Sequence, residues 1–235
     1  MLVGMMTAEQ LVRARNKKNW EQSEAAARLG ISQPYLSLLE AGKRVITKPL
    51  ALRAVQIYQL PPTALPVEKS FESLPKPDEE KLATDIANLG YSKLAHLKKK
   101  SPKKNPAEIL LTALSAENLD SRLVEALPWL AYNFADLDWN QVIKFAKIND
   151  LQNRLGFIVN VARRLAEMAS NKEKLNQLRQ MEEKLSASRL FREDTLCHAS
   201  MTEAEGNWLR ANRPQEAKFW RILTDLSPEH LDYVK

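Results

Sequence analysis

The chain has 235 residues, one cysteine and a formal net charge of +6. A lone cysteine, Cys197, excludes an intrachain disulfide framework and a thiolate metal cage. No run of about 18 uncharged apolar residues is present to span a membrane. Only six glycines, no alternating β-branched runs and an abundance of Ala, Leu, Lys, Arg, Glu and Gln predict an all-α fold. The opening MLVGMMTAEQ lacks the cationic and long apolar regions of a signal peptide, so a cytoplasmic location is expected. Residues 1–60 hold nine Lys/Arg against four Glu, whereas the remaining 175 hold 26 cations and 25 anions. A basic small domain on a near-neutral body predicts a polyanionic partner for the former.

In chain order, Thr7-Ala8-Glu9-Gln10 has the form of a capping box and opens the first helix, over about 7–19. Ala25, Ala26 and Leu29 share a face of the second helix, and Gly30 suits its C-terminal turn. Ser32 caps a third helix that tolerates Pro34 in its first turn, and Pro49 opens a fourth. Five prolines between residues 60 and 77 mark a linker, placed at 66–77. Helical patterning resumes at Asp78, with breaks predicted at residues 101–106 and near Pro128. Asp138-Trp139-Asn140-Gln141 caps a helix to about Leu151, and a longer stretch over 153–190 breaks at Ser170-Asn171. Shorter helices follow, including WLRANRPQEAKFWRIL and the segment after Pro228.

Two short helices joined by Leu29-Gly30-Ile31-Ser32, with alanines where they approach, have helix-turn-helix punctuation. WEQSEAAARLGISQPYLSLLEAGKR resembles the XRE or lambda-repressor-like family: a hydrophobe, then Gln, Ala, a basic residue, Leu-Gly-Ile-Ser, and a helix ending Leu-Glu-x-Gly-Lys-Arg. The resemblance spans about residues 7–65, and it implies that the third helix lies in the DNA major groove. Ile31, Leu36 and Leu39 then face the core, and Gln33, Pro34, Ser37 and Leu38 face the bases. Gln33 suits adenine N6/N7, while Pro34 and Leu38 suit a thymine methyl, so the half-site leans to A/T. Gln22 matches a family glutamine that touches a phosphate. Ser32, Tyr35, Lys43, Arg44, Arg13, Lys17 and Lys18 are the other expected phosphate contacts. Glu40 matches a structural acid that pairs inside the domain. Two positions depart from the family: Glu21 stands where Ser or Thr caps the second helix, and Leu38 replaces a common polar reader.

Elsewhere, KLAHLKKKSPKKN places Lys93, Lys98, Lys99, Lys100, Lys103 and Lys104 together without an acid, a candidate phosphate or partner patch. Trp129, Tyr132, Phe134 and Trp139 are dense enough to form a partner-binding patch, but core packing is the expected role, with Asp138 a helix cap and not a metal ligand. Arg192 and His198 resemble, in bare spacing, the Arg-x(4 to 6)-His signature of HEPN ribonucleases, a match that 15 arginines and three histidines also produce by chance. No HExxH or Gly-rich phosphate loop occurs, so the chain is not expected to be an enzyme or to need a cofactor or metal. Residues 78–235 are expected to form a helical dimerisation or partner-binding domain, and a homodimer is expected because two copies reach paired half-sites. Glu-Ala-Leu-Pro-Trp at 125–129, Asp-Leu-Asp-Trp at 136–139 and Leu-Gln-Asn-Arg-Leu-Gly-Phe at 151–157 resemble the second domain of bacterial XRE-type antitoxins partnered with abortive-infection nucleotidyltransferase toxins. That resemblance implies an autoregulating repressor that covers a toxin with residues 78–235. The other readings are a ligand-sensing repressor and, more remotely, a HEPN-type ribonuclease with a regulatory domain.

Overall fold

Thr7 accepts from the Gln10 backbone N–H, and the Gln10 side chain accepts from the Thr7 backbone, so the first helix starts at a complete capping box. The computed structural model describes residues 6–65, 67, 74, 76–101 and 103–232. Most of the Pro-rich stretch assigned to a linker, residues 66, 68–73 and 75, lies outside them. The fold is all-α apart from one pair of two-residue strands, and the chain divides into two compact units, Met1–Lys69 and Ser70–Lys235.

The first unit holds α1 (Ala8–Lys17), α2 (Gln22–Leu29), α3 (Gln33–Glu40) and α4 (Lys48–Tyr58). Its core is built from Leu11, Ala14, Ala25, Ala26, Leu29, Leu36, Leu39, Leu50 and Ala54, all buried. The alanines of α2 let α3 and α4 pack closely against it, and each of Leu36 and Leu39 contributes about 1.5–3 kcal/mol by burial.

The second unit is organised around α9 (Gln152–Met168), whose first eleven residues are all buried. Around it lie α5 (Glu79–Leu89), α6 (Pro106–Leu114), α7 (Ser121–Asn133), α8 (Trp139–Ile148), α10 (Lys172–Ser186), α11 (Glu203–Asn212) and α12 (Gln215–Trp220). Strand β1 (Asp194–Thr195) runs parallel to β2 (Ile222–Leu223). Gly156 admits α12 so closely that a Cβ there would lie 2.2 Å from the Trp220 ring.

Arg154 ties this unit together. Its guanidinium grips both oxygens of Asp194 at 2.8 and 2.9 Å and donates to the carbonyls of Leu114 and Ala116 at 2.8 and 2.7 Å. One arginine on α9 therefore holds β1 and satisfies carbonyls at the end of α6. Burial pulls the Arg154 pKa down, but its bond to Asp194 and its other neighbours outweigh burial and leave it raised. Burial also pushes the adjacent Cys197 thiol up to about 11.

The break expected near Pro128 does not occur: α7 runs through it. A proline inside a helix removes one backbone bond and crowds the preceding turn. Here Pro128 is buried, as are Leu127 and Leu130, in a helix that packs on α9, and that burial offsets the lost bond. The strand pair was not legible either, because two-residue strands show no alternation.

Candidate nucleic-acid interface

The turn between α2 and α3 is built by Gly30, whose φ of 65° lies in the left-handed region. The Gly30 and Ile31 N–H groups close the end of α2 on Ala27 and Ala26, and Arg53 donates to the Leu29 carbonyl at 2.7 Å. Ser32 then caps α3 through the Tyr35 N–H, and Pro34 in the first turn forgoes no helical bond. At the far end Gly42, with φ 69°, and Lys43 close α3 on Leu39 and Leu38, so that Lys43 and Arg44 leave the helix exposed.

Gln33, Pro34 and Leu38 are exposed and Ser37 is half-buried, while Leu36 and Leu39 are fully buried and Ile31 packs against the core. A chain of side-chain bonds leads from the interior to this surface. Arg15 on α1 forks onto Glu40 at 2.7 and 3.1 Å and also donates to the Trp20 carbonyl at 2.9 Å. Gln22 Nε2 donates to Glu40 at 2.8 Å, and Gln33 Nε2 donates to Gln22 Oε1 at 2.8 Å. The Glu40 side chain is 5 % exposed and that of Arg15 16 %, so the anchor of the chain is largely shielded from water. The bond to Glu40 raises the Arg15 pKa against the downward pull of burial.

The chemical consequence is orientation. An amide carries two N–H donors and one acceptor oxygen. With one Gln33 N–H held by Gln22, the other N–H and Oε1 remain for a base edge, the set that adenine N7 and N6 require. Gln22 spends its oxygen and one N–H inside the domain and keeps one N–H for a phosphate. Glu21 begins α2 without a side-chain capping bond, which leaves first-turn N–H groups for an outside anion.

The other expected phosphate residues are placed unevenly. Lys43 and Arg44 have no ion-pair partner among the described residues. Tyr35 is half-buried against the core. Lys18 reaches Gln59 at 3.0 Å, and Arg13 lies 3.5 Å from Glu9 on α1. Arg13 and Lys17 flank Arg15 by two positions, so at ~100° per residue both lie on the side of α1 away from it. Arg15 itself was the functional residue that sequence reasoning did not name. The signal was present: it follows Leu11 by four positions and so falls in the apolar stripe of α1, where a charge needs a buried partner.

In the second unit, Lys93 is bound by Glu125 at 3.0 Å and Lys104 by Asp85 at 2.5 Å. Lys98, Lys99, Lys100 and Lys103 are exposed. Arg192 and His198 are not brought together: Arg192 lies 3.7 Å from Asp150, whereas His198 faces Glu205 at 3.6 Å. His198 lines an open groove of about 410 Å³ with Leu196, Trp208, Leu209, Leu223 and Glu205. Residues of the antitoxin-like motifs serve the fold: Asp138 caps α8, Trp139 donates to the Ala135 carbonyl, Asn153 bonds both backbone groups of Leu190, and Arg154 and Gly156 act as described.

Residues 11–65 match the sequence profile of a family described as helix-turn-helix. This segment is a DNA-binding helix-turn-helix of the XRE kind, and the protein is a DNA-binding transcription regulator. Comparison of the chain with curated proteins and with solved structures gives no match.

Proposed function

We propose that this regulator is a sequence-specific repressor of its own operon, and that its second unit binds and covers a protein toxin made from the same operon. The observation that carries the DNA half is the Arg15–Glu40–Gln22–Gln33 chain, which holds one exposed amide at the start of α3 in a fixed pose. Gln33 reads an adenine, Pro34 and Leu38 press on thymine methyls, and Ser37 adds an adaptable contact. Gln22, Ser32, Tyr35, Lys43 and Arg44 fix register on phosphates, with Arg13, Lys17 and Lys18 as outlying contributors. The protein acts as a homodimer, because one short helix reads few base pairs and two copies reach half-sites about one helical turn apart. The exposed lysines 98, 99, 100 and 103 add a further phosphate-binding or partner-binding surface. The role is binding, not catalysis.

A footprint on the protein's own promoter, at two salt concentrations, tests the DNA half. The expected result is a protected two-fold site, lost in Gln33→Ala/Ser37→Ala and weakened by salt with a slope near −0.9 per phosphate neutralised. Absence of a protected site removes it. Co-expression of the double variant with the neighbouring gene product tests the partner half: toxicity rescued without repression supports it, and no rescue by the wild-type chain refutes it.

One observation favours a second reading, a repressor that senses a small ligand in place of a protein. The open groove sets His198, Glu125, Glu205 and Asp225 beside the apolar Leu196, Trp208, Leu209 and Leu223. A ligand screen read by operator release separates the two.

A further inference from the structure

The two segments that meet at the short strand pair carry a surface that neither the helix-turn-helix nor the packing of α9 uses. Arg-Leu-Phe-Arg at 189–192 and Lys-Phe-Trp-Arg at 218–221 are brought side by side, with the Asp194 N–H donating to the Arg221 carbonyl at 2.9 Å. Phe191 is 85 % exposed and Phe219 48 %. Each ring is covered by an arginine from the opposite segment: Arg221 stands 4.0 Å from the Phe191 centroid, and Arg189 stands 4.2 Å from that of Phe219. Arg189 also donates to the Phe219 carbonyl at 2.5 Å, so this stack is held at two points.

Nearby acids are occupied elsewhere. Glu193 is held by Arg210 and Arg213, and Glu216 by Arg164. Among the described residues, Asp150 pairs with Arg192 at 3.7 Å. The result is a cationic patch with two open apolar rings, the composition of an interface hot spot. Its side chains are already ordered against one another, so less entropy is lost when a partner docks.

We infer that this patch docks an acidic stretch of a protein partner, whose carboxylates take the free guanidinium edges of Arg189 and Arg221 and whose apolar side chains cover Phe191 and Phe219. The inference rests on the reading that the second unit has a protein partner, and it names that partner's surface chemistry. Charge complementarity selects an acidic occupant. A protein is favoured over a single-stranded nucleic acid because guanidinium groups already cover one face of each ring, whereas a nucleic-acid strand uses a succession of open ring faces along a groove.

The test uses the full chain and a fluorescently labelled peptide of alternating Glu and Leu, with an alternating Lys and Leu peptide and oligo-dT as comparisons. The acidic peptide should bind, and Phe191→Ser and Arg189→Glu/Arg221→Glu should each weaken it about tenfold or more. Operator binding and thermal midpoint should stay at wild-type values, and the charge-reversed variant should gain affinity for the lysine peptide. Equal binding of the acidic peptide by wild type and both variants would overturn the proposal. So would an oligo-dT affinity above the peptide's that falls in the same variants, or self-association that disappears in them. Variants that lose the peptide yet still neutralise the toxin would overturn this patch while leaving the protein-partner reading intact. Failure of the wild-type chain to neutralise any neighbouring gene product would overturn that reading instead.

Discussion

Each unit buries an arginine that forks onto an acid far away in sequence, and the two networks end differently. Arg15 grips Glu40 across 25 positions, and the chain continues through Gln22 to an exposed Gln33. Arg154 grips Asp194 across 40 positions, but its remaining contacts, the carbonyls of Leu114 and Ala116 and the Cys197 sulfur, lie inside the unit. The first network presents a side chain to the outside; the second clasps three elements together. The same ion pair thus serves recognition where its last member is a surface amide, and architecture where its last member is a helix end.

Breaking the pairs should have the largest effect. Glu40→Ala leaves a partly buried Arg15 charged and without its carboxylate, a loss toward the lower end of about 3–5 kcal/mol. Asp194→Ala should fall at the upper end of that range, because the charge it leaves behind, Arg154, is the more deeply buried of the two arginines. Denaturant titration followed by segment-resolved hydrogen exchange checks both. The comparison predicts more than the loss itself: under folding conditions Glu40→Ala should also weaken operator binding, and Asp194→Ala should not. Operator binding lost equally in both would erase the distinction.

A smaller effect is expected at Gly156. The 2.2 Å approach to Trp220 means that Gly156→Ala must displace α12, at about 1–3 kcal/mol of overpacking. Operator affinity of the folded protein should be unchanged, as the clasp is architectural.

The smallest concerns Tyr58, whose buried hydroxyl has no hydrogen-bond partner among the described residues. Tyr58→Phe should change stability by no more than about 1 kcal/mol, with stabilisation the expected sign. Burial, aided by Glu40, pushes its pKa from 10.0 up to about 12. A raised folded pKa means that its contribution is intact below the unfolded value and is lost as pH rises toward the folded one. Alkaline unfolding between pH 10 and 12 should therefore be shallower in Tyr58→Phe than in wild type.

What the sequence made legible was local. The Thr7–Gln10 box, the Gly30 turn, the Ser32 cap and the break at Ser170-Asn171 each depend on residues within one turn of one another. The outward set Gln33, Pro34 and Leu38 followed from helical phase against Leu36 and Leu39. What stayed hidden depends on distance in the chain. Arg15 stands in the apolar stripe of α1, but its partner is known only when Glu40 arrives from α3, and Pro128 reads as a break until the burial of α7 is counted. Phe191 and Phe219 look like core residues in a list, and only the strand pair shows them stacked on each other's arginines at the surface.

The central claim is that the buried Arg15 network aims Gln33 at one base. It is tested most directly by titrating wild type and Gln33→Ala against the footprinted operator and its single-base substitutions. A wild-type penalty of about 1–3 kcal/mol at one adenine step, abolished in Gln33→Ala while the other positions keep theirs, is the predicted result. A uniform loss of affinity across every operator variant would make Gln33 a backbone contact and contradict the account.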